Sequence, residues 1–266
     1  MSFAEQYPRT AEGWIKFPPQ DDEERKRYFT PESIRHPAKA NIWLIDSIVS
    51  HVSQPGQTLL DIMSGTGTLM LAALAKRRVI LIDIEKTYVD MMQASLELMA
   101  NMDSSILDRV VILHGDCRNL LPIPVDHIIF SPPYADIMRR KTKPKTAADK
   151  DLAGPYADSI QEYQESPNNL GRLPEFFYNH AMEKIYELCF QSVKPGGTLT
   201  VIIKDHTEKG ERVFLSSWMQ RACMKAGFYP KEWHKWLTKG TGYLELWKSR
   251  GYKMVDDEDI VLMTRP

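Results

Sequence analysis

Two apolar rhythms alternate along this chain. Over residues 39–52, Ile42, Trp43, Ile45, Ile48 and Val49 recur at helical spacing until Gln54-Pro55-Gly56 stops them. Thr58-Leu59-Leu60-Asp61-Ile62 then predicts a short buried strand that ends at an acid, Asp61. The run Ser64-Gly65-Thr66-Gly67-Thr68 opens a helix expected to reach Lys76. A second strand over 79–82 leads to Asp83, and 86–102 reads as an amphipathic helix. Strands over 109–113 and 125–130 follow, the first ending near Asp116 and the second at Ser131-Pro132-Pro133-Tyr134. Later segments predict a helix over 175–192, a strand over 198–204, a helix over 211–226 and a closing antiparallel pair from 228 onward with 259–263.

Strand and helix alternating at such intervals predict an α/β fold, a parallel sheet wrapped by helices on both faces. In such sheets ligands lie at the carboxyl ends of the strands. Asp61, Gly65, Asp83, Asp116 and Ser131 all fall there, so residues scattered in sequence converge on one edge. The rhythm fails twice. Residues 1–38 are interrupted by Pro8, Pro18, Pro19, Pro31 and Pro37 and read as an irregular arm. Residues 135–173 are polar and weakly periodic, an inserted loop whose length marks function or disorder. The expected organisation is an arm over 1–38 and a single domain over 39–266, with no internal repeat.

Composition narrows this only a little. The chain has 266 residues, enough for one sizeable domain with elaborations. Its apolar runs are too short for a membrane span, and residues 1–20 hold no apolar stretch of a secretion signal. The three cysteines lack metal spacing and read as reduced thiols of a cytoplasmic protein. Seven histidines lie too far apart in sequence to pair on a metal, so none is expected. A net charge of −1 requires any surface for a polyanion to be local, and Arg139, Arg140, Lys141 and Lys143 form one candidate cluster. Such runs equally read as solvated surface.

The loop Asp61-x-x-x-Gly65-x-Gly67 lets the backbone turn tightly beside a ligand. A dinucleotide fingerprint would place a third glycine where Met70 stands, and a carboxylate before the loop disfavours a pyrophosphate. That acid suits an ammonium group, such as the amino end of a methionine moiety. Asp83 is placed to accept from ribose hydroxyls and Asp116 from an adenine amino group. Each acid alone also reads as a helix N-cap; together they favour an adenosine-bearing ligand.

The Ser131-Pro132-Pro133-Tyr134 turn adds chemistry. An exocyclic ring amine is a poor nucleophile because its lone pair is delocalised. Acceptors that hold its N–H bonds, here the Ser131 hydroxyl and the Pro132 carbonyl, help it become tetrahedral. Paired prolines stiffen the turn, and Tyr134 can stack on a base withdrawn from its helix. A bare strand-terminating proline turn is the plainer alternative.

Ser131-Pro132-Pro133-Tyr134 resembles the catalytic motif of nucleic-acid amino-methyltransferases, and its serine form resembles that of the cytosine-N4 DNA enzymes. Leu60 to Thr68 is similar to their first cofactor motif, with Ile62 where many members have proline. Phe29 to Lys39, including His36-Pro37, resembles the segment that closes over the methionine end. The resemblance implies a Rossmann-like class I methyltransferase with a mostly parallel seven-stranded sheet. It implies S-adenosyl-L-methionine as cofactor, held by His36, Lys39, Asp61, Met63, Ser64, Gly65, Thr66, Gly67, Thr68, Asp83, Ile84, Asp116 and Cys117. Ser131, Pro132, Pro133 and Tyr134 would be catalytic, by direct transfer to cytosine N4 in DNA, with Arg139, Arg140, Lys141 and Lys143 on the nucleic acid.

The motif order differs from that of many cytosine-N4 enzymes, in which the catalytic motif comes first. Adenine N6 and RNA bases are therefore the alternative substrates, and a non-catalytic binding module is the alternative of another class. Restriction-modification is the expected setting. A separate recognition domain is not expected, so target reading would fall to residues 135–173, the arm, or Trp233, Trp236 and Trp247, for which hairpin packing is the competing role. A homodimer is one way for so small a chain to grip a duplex. Carbon-5 methylation is disfavoured, because no cysteine follows a proline.

Overall fold

The computed structural model describes residues 2–18, 22–36, 39–133, 166–208, 211–238, 249, 251 and 255–266. Helices are α1 (Asp22–Arg25), α2 (Pro31–Arg35), α3 (Ile42–Val52), α4 (Lys86–Ala100), α5 (Cys117–Leu120), α6 (Glu175–Ser192) and α7 (Leu215–Ala226). Strands are β1 (Thr58–Asp61), β2 (Arg78–Asp83), β3 (Val110–His114), β4 (Val125–Phe130), β5 (Val193–Ile203), β6 (His206–Glu208), β7 (Glu211–Val213), β8 (Tyr229–Leu237) and β9 (Asp257–Thr264).

Seven strands form one sheet in the order β3-β2-β1-β4-β5-β9-β8. The first five are parallel, whereas β9 runs antiparallel to both β5 and β8. The chain reverses direction in sheet order on either side of β1 and β4, which opens a crevice at their carboxyl ends. Apolar residues fill both faces. Leu60, Ile128, Phe130 and Val201 pack towards α6 and α7, and Leu59, Leu81, Ile129 and Ile202 towards α3 and α4. Burial on both sides is what makes these strands apolar runs rather than alternating ones.

Local chemistry sets several boundaries. Asn41 caps α3 by accepting from the Leu44 N–H at 3.1 Å, so the helix begins at Ile42 and not at Lys39. The helix expected from the glycine loop to Lys76 is a 3₁₀ segment, Thr68–Ala73. Gly67, at φ 78°, leaves the chain in a left-handed turn, and the segment is too short to relax into an α-helix before β2. Residues 211–213 are strand, not helix, because they pair with His206–Glu208 in a two-stranded ribbon. β5 starts earlier than expected: Val193 already pairs with Val125, and the residues around Pro195-Gly196-Gly197 bulge before pairing resumes at His127 and Thr198.

The arm contains α1 and α2 and is not irregular throughout. Phe3, Ile15, Phe17 and Phe29 are buried, and the first three belong to the same apolar cluster as α3. Each such side chain contributes roughly 1.5–3 kcal/mol of burial. Arg25 is fully buried, with Nη1 donating to Thr68 Oγ1 at 3.2 Å and Nη2 to the Ala40 carbonyl. The arm is thereby tied to the glycine loop.

Candidate active site

At the carboxyl edge of the parallel strands lies a cavity of about 900 Å³, within the range of ligand sites. Its lining includes Lys39, Asp61, Met63, Ser64, Gly65, Thr66, Thr68, Asp83, Ile84, Asp116 and Cys117. Ser131, Pro132 and Pro133 line it too, so the cofactor-type loop and the proline turn share one space. Two of the expected residues are not in the wall. His36 is buried behind it, with Nε2 2.9 Å from the Tyr88 hydroxyl. Gly67 serves packing: a Cβ there would meet Met92 Cγ at 2.7 Å, so glycine lets α4 approach. Tyr134, Arg139, Arg140, Lys141, Lys143 and Trp247 lie outside the described residues.

The glycine loop is held by the acids around it. Asp83, at the end of β2, takes the Gly65 N–H on Oδ2 at 2.7 Å and the Glu85 N–H on Oδ1 at 2.9 Å. Asp61, at the end of β1, takes the Met63 N–H on Oδ1 at 2.9 Å, and among the described residues its Oδ2 has no hydrogen-bond partner. Burial pushes both carboxyls up to about 7, against the N–H groups that favour their ionised forms, and Asp83 adds repulsion on Asp61. A cationic group entering beside Oδ2 would relieve that cost. The site therefore fits the ammonium end of a methionine-type ligand.

Asp116 plays the cap role that the sequence left open. Its side chain takes the Arg118 N–H at 2.9 Å and pairs with the Arg118 guanidinium at 2.5–3.0 Å. Burial alone would raise this carboxyl, but the Arg118 contacts hold it below the usual range. Cys117 is pushed up to about 12 by burial and then by Asp116, so it is a neutral wall residue and no nucleophile. Lys39 lines the cavity, but its Nζ donates to the Ile34 carbonyl at 2.8 Å and lies 3.4 Å from Asp22.

Sequence reasoning missed several residues in the wall or supporting it. Glu85 accepts from Asn169 Nδ2 at 2.7 Å and from the Ser166 N–H at 3.0 Å, docking the segment that returns from the insert. Arg118 Nη2 donates to the Asn168 carbonyl at 2.9 Å and does the same. Lys16, Phe17, Trp236, Thr238 and Glu258 line the far side. Lys204 donates to Thr238, while Asp205 binds Arg212 at 2.8 Å and the Ser216 N–H at 3.1 Å, a structural role at the start of α7. Trp233 and Trp236 donate across the hairpin to Asp259 and Glu258. Among the described residues there is no cluster able to hold a metal ion and no helix long and apolar enough to cross a membrane.

Sheet order, helical layers and a crevice lined by a glycine loop define a Rossmann-like methyltransferase fold. Residues 5–94, which hold most of the arm, the glycine loop and Asp83, match the model of the DNA methylase family N6_N4_Mtase; there the resemblance to the N4/N6 amino-methyltransferases holds. Among solved structures, TrmN from Thermus thermophilus is similar at 14% identity and a TM-score of 0.55, over 89% of this chain and 52% of that one. This chain thus spans about half the length of the Thermus protein. The cyclopropane synthase MmaA2 of Mycobacterium tuberculosis aligns at 15% identity and 0.56, over 92% and 94%. Geranyl diphosphate C-methyltransferase from Streptomyces coelicolor, solved with S-adenosyl-L-homocysteine, aligns at 13% and 0.52, over 91% and 86%. None of the curated proteins matches the chain significantly. Substrates as different as these share the fold, so the fold alone does not choose the acceptor.

Proposed function

We propose that the protein is an S-adenosyl-L-methionine-dependent DNA methyltransferase acting on an exocyclic base amine, cytosine N4 in the first instance. The observation that carries this reading is the single cavity shared by Asp61, Gly65 and Asp83 on one side and Ser131-Pro132-Pro133 on the other. S-adenosyl-L-methionine, when bound, supplies an electrophilic methyl group. Asp61 Oδ2 and Lys39 are the polar groups for its methionine end, and the Asp83 and Asp116 carboxylates those for its adenosine. Ser131 is exposed at the cavity, where its hydroxyl can accept from an incoming amine, and the half-buried Pro133 and buried Pro132 keep the turn stiff. Tyr134 is the stacking residue of this reading. The methylated amine is a strongly acidic ring ammonium, so it can lose its proton to solvent without a dedicated base. The match of residues 5–94 to a DNA methylase family supports DNA over RNA. Serine at the head of the turn supports cytosine over adenine. A second copy of the chain and a partner endonuclease are compatible extensions.

The deciding experiment is expression in a methylation-free host, followed by digestion of DNA and RNA to nucleosides and mass spectrometry. N4-methylcytosine in DNA is the expected product. N6-methyladenine, or a methylated RNA base, would replace the proposed acceptor, and no methylated base at all would overturn the activity. Tyr134→Ala should abolish the signal while calorimetry shows undiminished affinity for S-adenosyl-L-homocysteine.

A further inference from the structure

Across the cavity from the proline turn stands a carboxyl group that no motif announces. Glu258 is the second residue of β9, whose antiparallel course brings its beginning to the edge where β4 and β5 end. Phe130, Val201 and Val261 are level in the sheet. Glu258 precedes Asp259, which pairs with Ile203 at the end of β5, so it stands two strands over from the turn that follows β4. Both residues line the cavity.

Its neighbours on β9 do not line the cavity. Asp257 is held by Arg212 and Lys235, and Asp259 Oδ1 by Lys235 and Trp233, while Asp259 Oδ2 is buried with no partner among the described residues. Glu258 differs. Its Oε2 accepts from Trp236 Nε1 at 3.0 Å, and among the described residues Oε1 has no hydrogen-bond partner. Trp236 in turn meets Phe17 edge-on, with centroids 5.9 Å apart, and both rings line the same space. The result is a carboxyl group fixed by one oxygen beside aromatic walls, lining the cavity that also holds the proline turn.

We infer that Glu258 is a base-reading residue whose carboxylic acid donates a hydrogen bond to the ring nitrogen next to the reacting amine. This rests on the amino-methyltransferase reading above. Beside their amines, cytosine and adenine present a bare ring nitrogen, an acceptor that only a donor can read. Guanine and thymine carry an N–H at the corresponding place, which would oppose the acid proton and be rejected. Burial raises the Glu258 carboxyl above its ordinary range and so favours the donor form. Lys204, just after β5, and the Trp236 N–H pull the other way, and Asp259 and Asp257 on the opposite face of β9 add to the rise. Thr238 and Lys16 are the remaining polar groups on that side of the cavity.

The test uses the full chain, S-adenosyl-L-methionine at saturation and DNA from a methylation-free host. Glu258→Ala should lower kcat/KM for DNA by about ten- to a hundredfold, the scale of one lost base contact, with S-adenosyl-L-homocysteine affinity unchanged. Glu258→Gln should keep most of the rate, because its amide N–H also donates. The wild-type rate should fall as pH rises beyond the ordinary carboxylate range, and the glutamine variant should lack that fall. Undiminished kcat/KM in Glu258→Ala, beside an active wild type, would overturn this inference and leave the proposed function standing. Loss of cofactor affinity in both variants would also overturn it, marking the acid as a hairpin brace. A wild-type chain that methylates nothing would remove both.

Discussion

Asp61 shows how a single side chain links fold, ligand and pH. Its carboxyl is held up at about 7 by burial and by Asp83, far above an unfolded carboxylate. The folded state therefore binds the extra proton. Its stability from this group is complete below about pH 4 and lost as pH rises through about 7. A bound ammonium reverses the preference by favouring the ionised acid. Affinity for S-adenosyl-L-homocysteine should then rise up to about tenfold per pH unit towards pH 7 and level off above it. Asp61→Asn should bind more weakly and flatten the profile, as isothermal titration between pH 5.5 and 8 would show; an unchanged profile would remove the ammonium from this carboxylate.

Among the elements, α1 gives the clearest case of a short segment fixed by one residue. Four residues cannot hold a helix by themselves. Here Arg25, wholly buried, bonds Thr68 and the Ala40 carbonyl and stacks 5.3 Å from the Phe29 ring centroid. Arg25→Ala should destabilise the protein by about 2–4 kcal/mol, read from urea unfolding, through the cavity and the unpaired acceptors it leaves. The sequence showed nothing of this, because a lone arginine in a charged run looks solvated. It did show β1, β2, β4 and α6, whose apolar periods are set by burial on both sides of one sheet. Short elements such as α5 and the β6–β7 ribbon carry too few residues for a period to register. The glycine loop and proline turn were legible as motifs, since backbone geometry demands those residue types. Glu258, Asn169 and Phe17 reach the cavity only through pairing and docking between distant segments, which no local pattern encodes.

For the molecule as a whole, the difficulty is a net charge of −1 on a chain proposed to bind a polyanion. Binding must then be carried by local cations, with Arg139, Arg140, Lys141 and Lys143 as the proposed set. Replacing all four with alanine should reduce the steepness of log K against log salt by about 0.9 for each phosphate contact removed. Fluorescence anisotropy on a duplex over a range of KCl concentrations measures that slope, and an unaltered slope would place the contacts elsewhere.

The arm has one more effect, through β8. That strand is the sheet's outer rail, and the Ile15 N–H and carbonyl bond to Lys235 and Leu237 along its open side. Lys16 and Phe17, the very next residues, form part of the cavity wall. Peeling the arm away would uncover a strand free to zip onto another molecule at the same moment as it breached the pocket. The open side of β8 and the cavity wall are thus covered by one latch, and neither can be exposed alone.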